Sequence, residues 1–221
     1  MKKNNFEKIF KEISNYYDER ITKYKDSPKS VGQKNIKTLE KRLLILSQVG
    51  NLKKSKILDF GCGTGYLYEF LKKKYKFQGK YIGYDISSEM IKLAKKKYIN
   101  ARFEKKDIFK KSINEKFDYI IINGTFNYKF DNNFNWIKKT LKILFEKTNV
   151  AIAFNNLSSY VDYKDKILYY EKPERIFKFC KSELSPFVTI RHDYQIKINK
   201  LPYEFTTYIY KTKIPIRKMI K

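Results

Sequence analysis

The residues whose types and spacing could do chemistry are Asp59-Phe-Gly61-Cys62-Gly63-Thr-Gly65, then Asp85 and Asp107, and one late histidine, His192. Three alternating glycines let the chain turn sharply and bring bare backbone N–H groups against a ligand, where side chains would collide with it. The spacing Gly-x-Gly-x-Gly, with an acid two residues ahead, departs from the Gly-x-Gly-x-x-Gly dinucleotide fingerprint, so a nicotinamide cofactor is not the first choice. Asp85 closes the apolar run Tyr81-Ile-Gly-Tyr84, twenty residues after Gly65. That is about where a βαβ unit places a carboxylate for ribose hydroxyls. His192 is the only side chain whose ordinary pKa lies near neutrality, which makes it a candidate general base, with Asp193 beside it.

These residues need elements to hold them. Ile57-Leu58 before the glycines reads as a buried strand, and Tyr66, Leu67, Phe70 and Leu71 after them as a helix. Strands follow at 80–85 and 101–106, with a helix between them that Ser87 or Ser88 caps. Phe117-Asp-Tyr-Ile-Ile-Ile122 is apolar on both faces, as a central parallel strand is. A helix through Trp136, Ile137, Leu141 and Leu144 leads to the strand 149–154, which Asn155-Asn156 closes. Residues 157–166 read as a loop, Pro173 begins a helix, and strands follow at 187–190 and 204–210 with no helix between them, which implies an antiparallel edge. Ahead of the first strand, apolar spacing predicts helices over 4–24 and about 31–49, which cover either the mouth of the site or the sheet surface. Ligands in such sheets sit beyond the carboxyl ends of the strands, where Asn123-Gly124, Asn155 and Arg191-His192-Asp193-Tyr194 also fall.

With Asp59 included, the glycine stretch resembles motif I of the class I S-adenosylmethionine (SAM) dependent methyltransferases, and Asp85 and Asp107-Ile108 fall in the family's order. The resemblance covers roughly residues 30 to 211. It implies a Rossmann-like, seven-stranded, mostly parallel sheet with helices on both faces, the last strand antiparallel and an N-terminal helical cap. The expected organisation is a single domain over 1–221, with the cap at 1–50, the core at 51–211 and a basic tail at 212–221. By resemblance, Gly61, Cys62, Gly63 and Gly65 approach the methionine part of SAM, and Asp59 holds the loop or the amino group. Asp85 accepts both ribose hydroxyls, Ile86 packs on adenine with Met90 near, Asp107 and Ile108 face the adenine edge, and Asn123 and Gly124 complete the contacts. The product would be S-adenosylhomocysteine (SAH). Asn123-Gly-Thr-Phe-Asn, Ala153-Phe-Asn-Asn-Leu-Ser and Arg191-His-Asp-Tyr resemble a bacterial group of largely unassigned substrate.

Composition bounds the partners. The net charge of +26 comes from 49 basic residues, of which only six are arginine. Phosphate readers favour the planar arginine fork, and these lysines are spread along the whole chain beside abundant Asn, Ile, Tyr and Phe, a pattern of A/T-rich codons. Nucleic acid is therefore an open but unfavoured partner. Two cysteines supply neither a disulfide framework nor a zinc site, so no metal is expected. No apolar run nears 18 residues and the amino terminus is charged, so the expectation is a cytoplasmic chain without a membrane span.

For the acceptor, Thr125, Phe126, Asn127, Asn155 and Tyr194, with Ser158-Ser159-Tyr160, offer hydroxyl, amide and aromatic groups for a small polar molecule, a sugar or nucleotide-sugar hydroxyl being the first choice. Asn123-Gly-Thr-Phe replaces the Asp/Asn-Pro-Pro-aromatic signature of exocyclic-amine methylation, and no Pro-Cys dipeptide is present. An RNA methyltransferase and a non-catalytic SAM-binding subunit are the alternatives. Oligomeric state is not legible.

Overall fold

The computed structural model describes residues 4–197 and 200–212. Of the expected basic tail at 212–221, all but Thr212 lies outside the described residues. Two helices come first, α1 (Asn4–Tyr24) and α2 (Ile36–Ser47). Then β1 (Lys56–Phe60), α3 (Tyr66–Tyr75), β2 (Lys80–Asp85), α4 (Ser88–Lys97), β3 (Arg102–Lys105) and β4 (Phe117–Ile122) alternate, as the sequence pattern requires of a parallel sheet. A one-turn 3-10 helix (Thr125–Asn127) and α5 (Asn133–Glu146) lead into β5 (Thr148–Ser158). The last elements among the described residues are β6 (Tyr170–Glu171), α6 (Pro173–Glu183), β7 (Phe187–Arg191) and β8 (Glu204–Tyr210).

The strands form one sheet in the order β3-β2-β1-β4-β5-β8-β7, with the two-residue β6 pairing alongside β5. All neighbours are parallel except β8, which runs antiparallel to both β5 and β7. The antiparallel strand is thus inserted, and β7 forms the edge. β5 also runs longer than its apolar stretch predicts. Asn155, Asn156 and Leu157 keep pairing with Thr206, Phe205 and Glu204, so polar residues stay in the strand because a partner strand satisfies their backbone.

Side-chain alternation divides the core. On one face Leu39, Leu43 and Leu46 of α2, Leu67 and Leu71 of α3 and Ala94 of α4 cover Ile57, Tyr119 and Ile121. On the other, Ile137, Leu141 and Leu144 of α5 with Ile176 and Phe179 of α6 cover Leu58, Ile120, Ile122 and Phe154. Burying each such side chain contributes about 1.5–3 kcal/mol. Asn35 caps α2 by accepting from Thr38 N, and Ser87 caps α4 by accepting from Met90 N. The carboxyl ends of β1–β5 therefore stand on a rigid base, and α1 lies across them.

Candidate active site

The loop after β1 is shaped by backbone bonds to the end of β2. Gly61 N and Cys62 N donate to Tyr84 O at 2.8 and 3.0 Å, and Gly63 N donates to Asp85 Oδ2 at 2.8 Å. Gly61 has φ +77° and a β-carbon there would stand 2.1 Å from Thr125 Oγ1, so both backbone and space demand glycine. Asp85 Oδ1 accepts from Ser87 N at 2.9 Å. Burial raises the Asp85 carboxyl above its ordinary range, while the backbone donors from Ser87 and Gly63 work in the opposite direction. Each carboxylate oxygen keeps a second lone pair to offer to a ligand.

Asp59 and Cys62 stand behind this loop. Asp59 is buried and accepts from Tyr81 Oη at 2.5 Å, and burial pushes its carboxyl up to about 7. Cys62 Sγ lies 2.8 Å from where a β-carbon on Gly83 would be, and burial raises its thiol well above the ordinary value. Neither side chain lines the cavity above the loop.

That cavity is about 440 Å³, a size that suits a cofactor and a small partner. Gly61, Gly63, Asp85, Ile86, Met90, Asp107, Ile108, Asn123, Gly124, Thr125 and Asn127 all line it, bringing together most of the residues singled out in the sequence. Asp107 Oδ1 accepts from Phe109 N at 2.9 Å, which fixes the turn after β3. Gly124 N donates to Asn155 Oδ1 at 2.7 Å, and Asn155 Nδ2 donates to Asn123 Oδ1 at 3.2 Å, so Asn155 holds the β4 turn from behind. Asn127 Oδ1 is buried without a hydrogen-bond partner among the described residues.

Several expected residues lie elsewhere. Phe126 is wholly buried between Trp136 and Phe154, at ring distances of 5.2 and 5.9 Å, and belongs to the core rather than to an acceptor pocket. His192 Nε2 lies 2.9 Å from Pro202 O and its ring packs on Phe205 and Tyr160, so it bridges a loop away from the cavity. Asp193 pairs with Arg191 at 2.7 Å on the surface. Tyr194 Oη shares a hydrogen bond with Thr206 Oγ1 at 2.8 Å, also off the cavity. The strand-end position is as expected; the chain then turns these side chains away, because β8 returns antiparallel and its neighbouring loop supplies their partners.

The walls include residues that sequence reasoning missed. From α1 come Phe10, Ile13, Tyr16, Tyr17 and Arg20. Its Ser14 Oγ donates to Ile86 O at 3.2 Å, and its Asp18 Oδ1 accepts from Ser87 Oγ, stitching α1 onto the end of β2. Phe6 and Phe10 stack about Phe109, at 5.6 and 5.7 Å. The opposite wall holds Gln33, Lys34, Arg42, Lys197 and Tyr203, with Asp165, Ile167 and Leu168 on a neighbouring loop. Arg42 donates to Glu204 Oε2 at 2.6 Å, to Tyr203 Oη at 2.8 Å and to Gln33 Oε1. Burial opposes the Arg42 charge, but Glu204 beside it outweighs this and holds the guanidinium charged. One signal could have found Arg42: it occupies the same helical stripe as Leu39, Leu43 and Leu46, where a charge is buried only if paired.

A profile for methyltransferase domains matches residues 51–181. A putative methyltransferase of Mycobacterium tuberculosis is 33% identical over 165 residues, covering 70% of this chain and 92% of the relative. The chain belongs to the methyltransferase domain family. A malonyl-[acyl-carrier protein] O-methyltransferase of Priestia megaterium is 40% identical over 97 residues, which span 43% of this chain and 33% of that protein. Among solved structures, magnesium protoporphyrin IX methyltransferase from Synechocystis PCC 6803 with bound SAM superposes with a TM-score of 0.64 at 15% identity, over 92% of this chain and 97% of that one. The plantazolicin methyltransferase BpumL in complex with SAH gives 0.58 at 18% identity, over 93% and 99%. These two share the fold. The sheet order, glycine loop and strand-end acids are those of a class I SAM-dependent methyltransferase.

The residues of this methyltransferase fit that cofactor. Spare lone pairs on Asp85 suit a vicinal diol, Ile86, Met90 and Ile108 offer apolar surface to a flat ring, and the unpartnered Asn127 Oδ1 suits an N–H or O–H donor. When bound, SAM supplies an activated methyl group. The protein's own task is to align an acceptor with it and to limit water, and the residues placed to do so are those of the α1 and 165–168 walls.

Proposed function

We propose that this chain transfers the methyl group of SAM to an oxygen of a small polar acceptor held in the same cavity. The observation that carries this reading is the enclosure of about 440 Å³ shared by the glycine loop and Asp85 at its floor and by α1, α2 and the 165–168 loop at its walls. Such a space suits a small molecule better than a nucleic-acid strand. The spread of lysine along the chain supports the same choice, since no arginine-rich face accompanies it. The named relatives bear on the acceptor only loosely. The malonyl-[acyl-carrier protein] O-methyltransferase alignment spans a third of that protein, and the mycobacterial relative is named without an acceptor.

Calorimetric titration with SAM and with SAH tests the proposal, on the wild type and on Asp85→Ala. Micromolar binding that the substitution removes is the expected result. Failure of a folded wild type to bind either ligand overturns it. Trp136, the only tryptophan of the chain, lines the cavity, so occupancy is also readable as a change in its emission.

A further inference from the structure

On that methyl-transfer reading, we propose that the acceptor atom is an oxyanion, an oxygen already ionised at neutral pH as in a carboxylate or a phosphonate, received at the β5–β8 end of the cavity by Lys34, Lys197 and Tyr203. Two observations point there independently.

The first is the chemistry of the wall. A neutral hydroxyl must lose a proton as it is methylated and benefits from a base within hydrogen-bond reach. His192 faces Pro202 O instead of the cavity. The acids that line the cavity are Asp85, Asp107 and Asp165. Asp85 takes two backbone N–H groups beside the glycine loop, Asp107 closes the turn after β3, and Asp165 Oδ1 accepts from Ile167 N at 3.0 Å within its own turn. The Tyr17, Tyr84 and Tyr203 phenols are raised chiefly by burial, so they donate at neutral pH and do not abstract. Among the described residues this wall offers cations and donors, and its one carboxylate, Asp165, is engaged by Ile167 N in its own turn. An oxyanion needs no base.

The second is a pair of cations at the β8 end. Asp85 and Asp107 at the ends of β2 and β3 have Arg20 and Lys106 as cationic neighbours on the cavity wall, whereas at the β8 end Lys34 and Lys197 line the cavity with Arg42 and Tyr203. Glu204 neutralises Arg42. Lys34 and Lys197 have no carboxylate within ion-pair distance among the described residues, and Lys197 Nζ stands 5.3 Å from the Tyr203 ring centre. Tyr203 Oη accepts from Arg42 and keeps its own proton to donate.

The step balances without proton transfer. A lone pair of the acceptor oxygen forms the O–C bond to the methyl carbon, and the S–C bonding pair returns to sulfur. The sulfonium becomes a neutral thioether and the acceptor loses one negative charge as its ester forms, so a carboxylate gives a neutral ester and a phosphonate dianion a monoanionic one. Because the acceptor loses charge on the way to the transition state, the lysines favour its binding more than its reaction. They are therefore specificity residues, and their removal raises KM more than it lowers kcat.

The test uses the SAH-saturated wild type, titrated with short- and medium-chain carboxylates and phosphonates, each against its uncharged amide isostere. Oxyanion binding that weakens about tenfold in Lys34→Ala or Lys197→Ala, and further as salt rises, is expected. Turnover of the best probe with methyl-labelled SAM then separates the sources: a carboxyl methyl ester releases methanol in mild alkali and a phosphonate methyl ester does not. The proposal is overturned if no oxyanion binds better than its isostere, or if a neutral hydroxyl is methylated with proton release. It is equally overturned if Asp165→Asn abolishes turnover while leaving affinity intact. A loss of SAH affinity in Lys34→Ala and Lys197→Ala, with 5′-methylthioadenosine binding intact, assigns the cations to the cofactor's own carboxylate and also overturns it. No SAH binding by the wild type instead defeats the methyl-transfer reading beneath it.

Discussion

The two ends of the cavity are built by different means. Around β1 and β2 the chain shapes the floor with near neighbours: Gly63 to Asp85 and Asp59 to Tyr81 are each separated by 22 residues, and Ser87 to Asp85 by two. At the β5–β8 end the contacts join distant parts of the chain, Arg42 to Glu204 across 162 residues and Arg42 to Tyr203 across 161. The first end is mostly backbone N–H groups and carboxylates, the second mostly side chains with an ion pair at the centre. A local, backbone-built floor tolerates little variation and serves one ligand. A side-chain wall assembled from the cap and the last strand can be re-lettered without disturbing the sheet, which is how one fold serves many acceptors.

The largest expected effect comes from breaking the second end at its ion pair. Arg42→Ala leaves Glu204 buried and unpaired, which costs about 3–5 kcal/mol. Arg42→Leu combined with Glu204→Leu removes both charges and recovers most of that loss in urea unfolding. If the single and double variants are equally unstable, the pair is not what joins α2 to β8. Gly61→Ala breaks the first end. The new methyl group meets Thr125 Oγ1 in a left-handed backbone, and SAH affinity falls about a hundredfold, or ~2.7 kcal/mol. An unaltered affinity would show that the floor can yield, and the contrast between the two ends would be lost.

This contrast explains what was legible in the chain. Gly61, Gly63, Gly65 and Asp85 could be placed from spacing because their partners lie within one βαβ unit, where sequence distance translates into geometry. The strands, the Ser87 cap and the α1 and α2 helices were likewise readable from periodicity. Arg42, Gln33, Lys34 and Tyr203 were not, since their role depends on a return strand that brings residue 204 to residue 42. Phe126 misled because a polar neighbourhood, Thr125 and Asn127, surrounds a side chain that the 3-10 turn points inward, onto Trp136. β6 is too short to show any period, and it exists because Leu157 and Ser158 at the end of β5 accept it as a partner. Asp59 was expected at the loop or the amino group, and the structure sets it behind the loop, against Tyr81.

Asp59 supplies a smaller, pH-dependent test of the floor. Its carboxyl is raised by burial from 3.8 to about 7, so the folded protein binds a proton there that the unfolded chain has already lost. The sign follows: this contribution to stability is full below the unfolded value of 3.8 and is lost progressively as pH rises from there through 7. On the order of 2–3 kcal/mol disappears between pH 5 and pH 8. Asp59→Asn, neutral throughout, flattens that part of the profile, and the difference between the two proteins isolates it from other titrating groups. Identical profiles would mean that Tyr81 or water solvates the carboxylate well enough to keep it ionised, and that the floor is less dry than its burial indicates.

The smallest expected effect is also the one that sharpens the contrast most. His192→Ala removes one contact to Pro202 O and the packing on Phe205, a loss of about 1 kcal/mol. Turnover of an oxyanion acceptor should keep its kcat and should show no limb near neutral pH that the wild type alone displays. A base acting from β7 would behave otherwise. Its removal would lower kcat by the factor of about a hundred or more that general bases supply, and would delete the limb. That outcome requires His192 to leave Pro202 O and turn into the cavity, converting the β5–β8 end from a receiving wall into the catalytic one. The hydrogen bond to Pro202 O and the edge-on packing against Phe205 both resist such a turn. A hydroxyl acceptor would then become the better reading, because the proton that an oxyanion does not carry would have somewhere to go.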